Sequence, residues 1–260
     1  MAKIPFQVIP VLDIMNGQAV HAVAGRRAYY RPIQSVLHAS SEPIPLAHAL
    51  RDSLGLHTLY LADLDAIEGQ LPRLEIYQQL IDAGFHLWLD CGVRDVRSMA
   101  PLLMLDRSLN TIIAGLETVG GPRELTEIVN QAGAGRVIFS LDLFEGRPKI
   151  SSPAAWGTED PRELAHAAIE CGVRRMLILD LARVGTSRGP GTNSLIAQIR
   201  ADHPSVMVSV GGGISRIEEV VELRNAGAPA VLVGSAIHDG RIGARELDQI
   251  ETASDPGSIR

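Results

Sequence analysis

Eight short, nearly uninterrupted apolar runs recur along the chain: Gln7–Asp13, His57–Leu64, His86–Asp90, Thr111–Gly115, Arg136–Asp142, Arg174–Leu181, Ser205–Val210 and Pro229–Gly234. They do not alternate apolar with polar residues, and continuous runs mark strands covered on both faces, as in a parallel sheet wrapped by helices. Between them the spacing turns helical, as in residues 71–84, 121–133, 160–172 and 215–227. Each of these four stretches ends in glycine, the residue suited to a left-handed helix end, and three carry proline at their second position. Eight strand-then-helix units in 260 residues predict an α/β chain, a (β/α)8 TIM barrel, as a single domain over 1–260.

The order of motifs repeats. VIPVLDIMNG around Asp13 is answered 129 positions later by VIFSLDLFEG around Asp142. Asp63 is matched by Asp180, Gly92 in DCGVR by Gly213 in GGGIS, and Gly115 in AGLET by Gly234 in VGSAI. The chain therefore reads as two repeated half-barrels, about 1–130 and 131–250, which sets the first and fifth strands opposite each other.

Such barrels carry their chemistry at the C-terminal ends of the strands. Asp13 and Asp142 each close a predicted strand, so both are expected to point into the mouth, where two carboxylates in different surroundings suit an acid and a base. Strand-end aspartates also cap helices; the equivalent placement of the pair favours the catalytic reading. The stretches 211–214 (GGGI) and 233–237 (VGSAI) run straight into helices, and glycine backbone at a helix start favours an anion such as phosphate. After the sixth strand, residues 183–193 (RVGTSRGPGTN) fit either a solvated loop or one that closes over a ligand and supplies the Thr186 hydroxyl. The first half is less suited to phosphate, because Asp90 and Glu117 stand beside its two glycine turns with Arg94 as the expected counter-charge. The long loop after the first strand places Arg26, Arg27, Tyr29, Tyr30 and Arg31 over the mouth, an arrangement suited to an anionic or planar substrate or to an ordinary exposed loop.

Composition narrows the partners. With 46% hydrophobic and 21% charged residues the chain is globular. A net charge of −6 without a dense basic run argues against nucleic acid. No apolar run approaches the roughly 20 residues of a membrane span. The start enters a strand directly, without a secretory pattern, which makes the cytoplasm the expected location. Two cysteines 80 positions apart, with no ligand spacing, give neither a metal site nor a disulfide framework. Oligomeric state has no signature in the sequence.

Taken in order, IPVLDIMNGQAV, SLDLFEG, GTSRGP, GGGIS and VGSAI, with the half-barrel repeat, resemble the histidine-biosynthesis barrels: the aminoaldose/ketose isomerase HisA and its cyclase sibling HisF. The likeness covers residues 7 to 245. It implies a base at Asp13, an acid at Asp142, an assisting hydroxyl at Thr186, and no metal or organic cofactor. It also implies a phosphorylated small-molecule substrate, bound by Gly189, Gly212, Gly213, Gly234 and Ser235 in the second half and by Gly92, Arg94 and Gly115 in the first. The family usually shows GGIR after the third strand and a GT turn after the fourth; here stand DCGVR and AGLET, and the GRRAYYRPIQS loop is unlike the usual isomerase loop. The chain is thus expected to be a HisA-like paralogue, an Amadori-type isomerase of a phosphorylated sugar or aminosugar that prefers a substrate with one phosphate. A lyase or synthase on another phosphorylated metabolite, and a non-catalytic phosphometabolite-binding barrel, are the alternatives.

Overall fold

The computed structural model describes residues 5–106 and 110–252. Eight parallel strands form the centre: β1 (Gln7–Met15), β2 (Thr58–Asp63), β3 (His86–Asp90), β4 (Asn110–Gly115), β5 (Val137–Phe144), β6 (Arg175–Asp180), β7 (Met207–Gly211) and β8 (Ala230–Val233). Each pairs with the next in sequence, and β8 pairs back onto β1 through Gln7 with Ala230 and Pro10 with Val233. The ring is closed: the protein is a (β/α)8 barrel.

The uninterrupted apolar runs follow from this closure. Along β4, Ile112 packs outward against the helices while Ile113 packs into the barrel. Tyr60, Trp88, Ile138, Leu177 and Leu232 fill the interior with Ile113. Leu59, Leu87, Phe139, Ile178 and Val231 meet the surrounding helices. Most strands are therefore apolar on both faces, with burial as the driving force; β7 instead turns Ser209 inward.

The four helical stretches appear as Leu74–Asp82, Pro122–Ala132, Pro161–Glu170 and Ile217–Asn225. Pro122–Ala132 shows the logic: proline takes the first turn, where its missing N–H costs nothing, and Leu125, Ile128, Val129 and Ala132 form the buried stripe. After β3 the described residues of the connection hold the single turn Val96–Met99 and the 3-10 segment Ala100–Met104. Among the described residues, no helix is long and apolar enough to cross a membrane.

Two strands run past their predicted ends. β1 and β5 continue two residues beyond Asp13 and Asp142, then fold back through two-residue turns to pair antiparallel with Gln18–His21 and Arg147–Pro148. Both central residues of each turn are left-handed, Asn16 and Gly17 at φ 53 and 77, Glu145 and Gly146 at φ 52 and 77. That geometry is the turn whose twist suits a tight hairpin, and it is what IMNG and LFEG encode. A carboxylate from the neighbouring loop or strand holds each turn. Asn16 N–H donates to Asp65 at 2.7 Å, and the Glu145 and Gly146 N–H groups donate to the two oxygens of Asp180 at 3.1 Å each.

Candidate active site

At the C-terminal mouth of the barrel the strand ends and their loops enclose one pocket. Asp13 enters from β1, Tyr60 from β2, Asp90 from β3 and Asp142 from β5. Glu117, Lys149, Gly213 and Ser235 follow from the loops beyond β4, β5, β7 and β8. Three strands lie between β1 and β5 in either direction around the ring, so Asp13 and Asp142 approach the pocket from opposite sides.

Burial raises the pKa of both aspartates, but their neighbours differ. Asp13 is pushed up to about 7 by loss of water, and the Arg27 guanidinium works against the rise. Asp142 is raised by burial and then further by the Glu117 and Asp90 carboxylates, while the Ser140 hydroxyl, donating at 2.6 Å, and the Lys149 ammonium oppose it. A cation beside Asp13 favours its ionised form; anions beside Asp142 favour its protonated form. Asp90 makes a third buried acid at about 7, raised by burial and by Glu117 and moderated by the Tyr60 hydroxyl, which donates to it at 2.9 Å.

The pocket wall formed by the β7 and β8 loops is backbone. Gly212, Gly213, Gly234 and Ser235 all line it. Gly213 has φ +74, and a side-chain carbon there would come within 2.8 Å of the Arg183 carbonyl and 2.9 Å of the Gly189 carbonyl, so only glycine fits. His21 reaches across from the β1 hairpin to Ser235, Nε2 to Oγ 2.9 Å, and Arg241 holds the rim by donating to Ser187 at 2.7 Å.

The sequence profile of the histidine biosynthesis protein family matches residues 7–243. The chain belongs to this family. It is 30% identical over 91% of its length to a phosphoribosyl imidazole-4-carboxamide isomerase of Haloarcula marismortui, covering 92% of that protein. The corresponding isomerase of Leuconostoc mesenteroides is 25% identical over 94% of this chain and 99% of its own length. An uncharacterized protein of Methanocaldococcus jannaschii is 30% identical over 93% of this chain and 97% of its own. Kinship with these isomerases makes the chain an enzyme of the intramolecular oxidoreductase type, in the HisA group of the family.

Within this family member, several expected site residues stand elsewhere than the motifs suggested. Arg94 is exposed and does not line the pocket; its guanidinium donates to the Gly92 carbonyl at 2.7 Å and the Ile67 carbonyl at 2.8 Å, clamping the loop after β2. The expected counter-charge to Asp90 and Glu117 is corrected accordingly. Glu117 instead pairs with Arg27 at 3.3 Å and with Lys149. Thr186 is turned from the pocket, its hydroxyl donating to the Arg183 carbonyl at 2.7 Å, while Gly185 and Ser187 on either side line the wall. Gly189 is buried beneath the loop and donates its N–H to the Gly213 carbonyl at 3.0 Å. Gly92 packs against β2's loop, where a side-chain carbon would fall 2.6 Å from Ile67 Cα, and Gly115 lies beside the Asp142 carboxylate. Of the five residues named in the loop after β1, Arg27 and Tyr30 line the pocket; Tyr29 is exposed to 65%.

His21, Tyr60, Lys149 and Arg241 are pocket residues that sequence reasoning passed over. A signal existed for two of them. His21 and Lys149 follow Asp13 and Asp142 by eight and seven positions, each just across its hairpin, where the backbone returns to the mouth. Among the described residues, no group of three or more His, Cys, Asp or Glu side chains is arranged to hold a metal ion.

Proposed function

We propose that this enzyme converts a phosphorylated aminoaldose into the corresponding aminoketose, with Asp13 as base and Asp142 as acid. The observation that carries the reading is the pair of carboxylates entering one pocket from β1 and β5, both raised toward neutral pH and biased in opposite directions by their neighbours. Their equivalent placement follows from a chain built as two half-barrels, 1–130 and 131–250. The substrate phosphate rests on the backbone of Gly212, Gly213, Gly234 and Ser235, where His21 and Arg241 add donors at the rim.

The reaction starts with Asp142 protonated and Asp13 ionised. Asp142 gives its proton to the sugar ring oxygen as the ring C–O bond breaks, and the amine nitrogen lone pair forms the C=N bond of the open iminium. Asp13 then removes the C2 proton, and the C–H electrons form a C1–C2 double bond while the iminium π electrons return to nitrogen. The resulting enolamine tautomerises to the aminoketose. Every electron stays within the substrate, so the sequence of steps calls for no redox partner. Thr186 acts here through the loop: its bond to the Arg183 carbonyl holds residues 183–189 against Gly213.

Asp13→Asn and Asp142→Asn each lower turnover by at least about 10²-fold, the lower range for a positioned acid or base, while ligand affinity changes little and Tm does not fall. Near-normal turnover in both variants rules the pair out as base and acid.

A further inference from the structure

The β3–β5 side of the pocket holds a charged cluster that makes no proton transfer in the isomerisation. Three loops that are distant in sequence converge there through Arg27, Glu117 and Lys149. The Glu117 side chain is 13% exposed; one of its oxygens meets Arg27 Nη2 at 3.3 Å and the other meets the Lys149 ammonium. Arg27 also reaches the half-exposed Glu68 at 3.1 Å. Two cations brought from two loops onto one point in a pocket wall make a seat for an anion, and here that anion is the chain's own carboxylate. Asp90 lines the same pocket, 6% exposed and bonded to the Tyr60 hydroxyl. Arg94, in the loop after β3, is committed to backbone carbonyls.

A phosphate arriving at this end would meet an occupied seat and a second carboxylate. Juxtaposed like charges at a partly desolvated contact are strongly disfavoured. We infer that Glu117 is a built-in anion filling the seat between Arg27 and Lys149, so that the site selects substrates with one phosphate whose far end presents hydrogen-bond donors to Asp90. The inference rests on the placement of that one phosphate on the β7–β8 glycines. It makes Glu117 and Asp90 the specificity determinants. It also separates this chain from relatives whose named substrate carries two phosphoribosyl groups.

Calorimetric titration of the full chain tests this with two probes, ribose 5-phosphate and the bis-phosphoribosyl substrate of the related isomerases. In Glu117→Gln, which keeps the shape and removes the charge, and in Glu117→Ala, affinity for the two-phosphate probe rises at least about tenfold, while that for ribose 5-phosphate stays within about threefold. An unchanged or weakened affinity for the two-phosphate probe in both variants overturns the inference. So does wild-type turnover of that probe with kcat/KM of about 10⁴ M⁻¹s⁻¹ or more, an ordinary enzyme value. Ser235→Asp tests the underlying placement separately. It abolishes ribose 5-phosphate binding if the phosphate sits on the glycine wall; retained binding overturns that placement whatever the Glu117 variants do.

Discussion

The two sides of the pocket solve the problem of polarity differently. Beyond β7 and β8 the wall is backbone, and its character depends on whether the chain can approach closely at Gly213. Beyond β3, β4 and β5 the wall is charge, and its character depends on which side chains neutralise one another: Glu117 with Arg27 and Lys149, Asp90 with Tyr60. The backbone wall tolerates no added atom at Gly213, and its amides carry no titratable proton. A charged wall tolerates changes of shape but responds to pH and to loss of a single partner.

The sharpest way to break this comparison is at Gly213. Gly213→Ala forces a left-handed alanine against the Arg183 and Gly189 carbonyls, which is expected to cost about 1–3 kcal/mol of stability. It is also expected to raise KM about 10- to 100-fold, since a shift of one backbone amide loses much of a charge-assisted bond. Thermal unfolding and steady-state kinetics check both; an unchanged KM would show that phosphate lies elsewhere.

Asp90 sharpens the other side of the comparison. Its folded pKa of about 7 lies above the ordinary 3.8, so between these values the folded state keeps a proton that the unfolded state has lost. Stability therefore falls as pH rises from about 4 to about 7, and the penalty is complete above 7. Asp90→Asn removes it: Tm rises at pH 8, by an amount corresponding to on the order of 1–3 kcal/mol, and shows no such gain at pH 4. Equal effects at both pH values would mean that Asp90 is not held neutral by burial.

The smallest effect belongs to Arg94. Its two bonds go to carbonyls of Gly92 and Ile67, so Arg94→Ala is expected to cost about 1 kcal/mol of stability. It should change KM for a phosphorylated ligand less than Gly213→Ala does; a larger effect on KM would return Arg94 to the binding site.

The barrel itself was legible from local pattern. Continuous apolar runs, helical spacing between them and glycine at the end of four helical stretches are short-range properties, and a parallel barrel is the way to cover every strand on both faces. Asp13 and Asp142 were legible as well, since IMNG and LFEG recur 129 positions apart and a strand end in a barrel faces the mouth. The strand extension past each aspartate was not legible from the apolar runs, which end at the aspartate; the left-handed pairs Asn16–Gly17 and Glu145–Gly146 turn the chain back into hairpins there.

What the sequence alone determined, then, was the barrel, the position of the two acids and the glycine wall, because each rests on residues adjacent in the chain or on a register repeated along it. Tertiary structure alone decided the charge pairing. Arg94 stands four residues from Asp90, yet its guanidinium turns to the Gly92 and Ile67 carbonyls. Glu117 instead meets Arg27, 90 residues away, through a loop whose path is set by packing across the mouth. Which of several nearby cations reaches a carboxylate depends on side-chain direction and loop course, and only the folded chain specifies those.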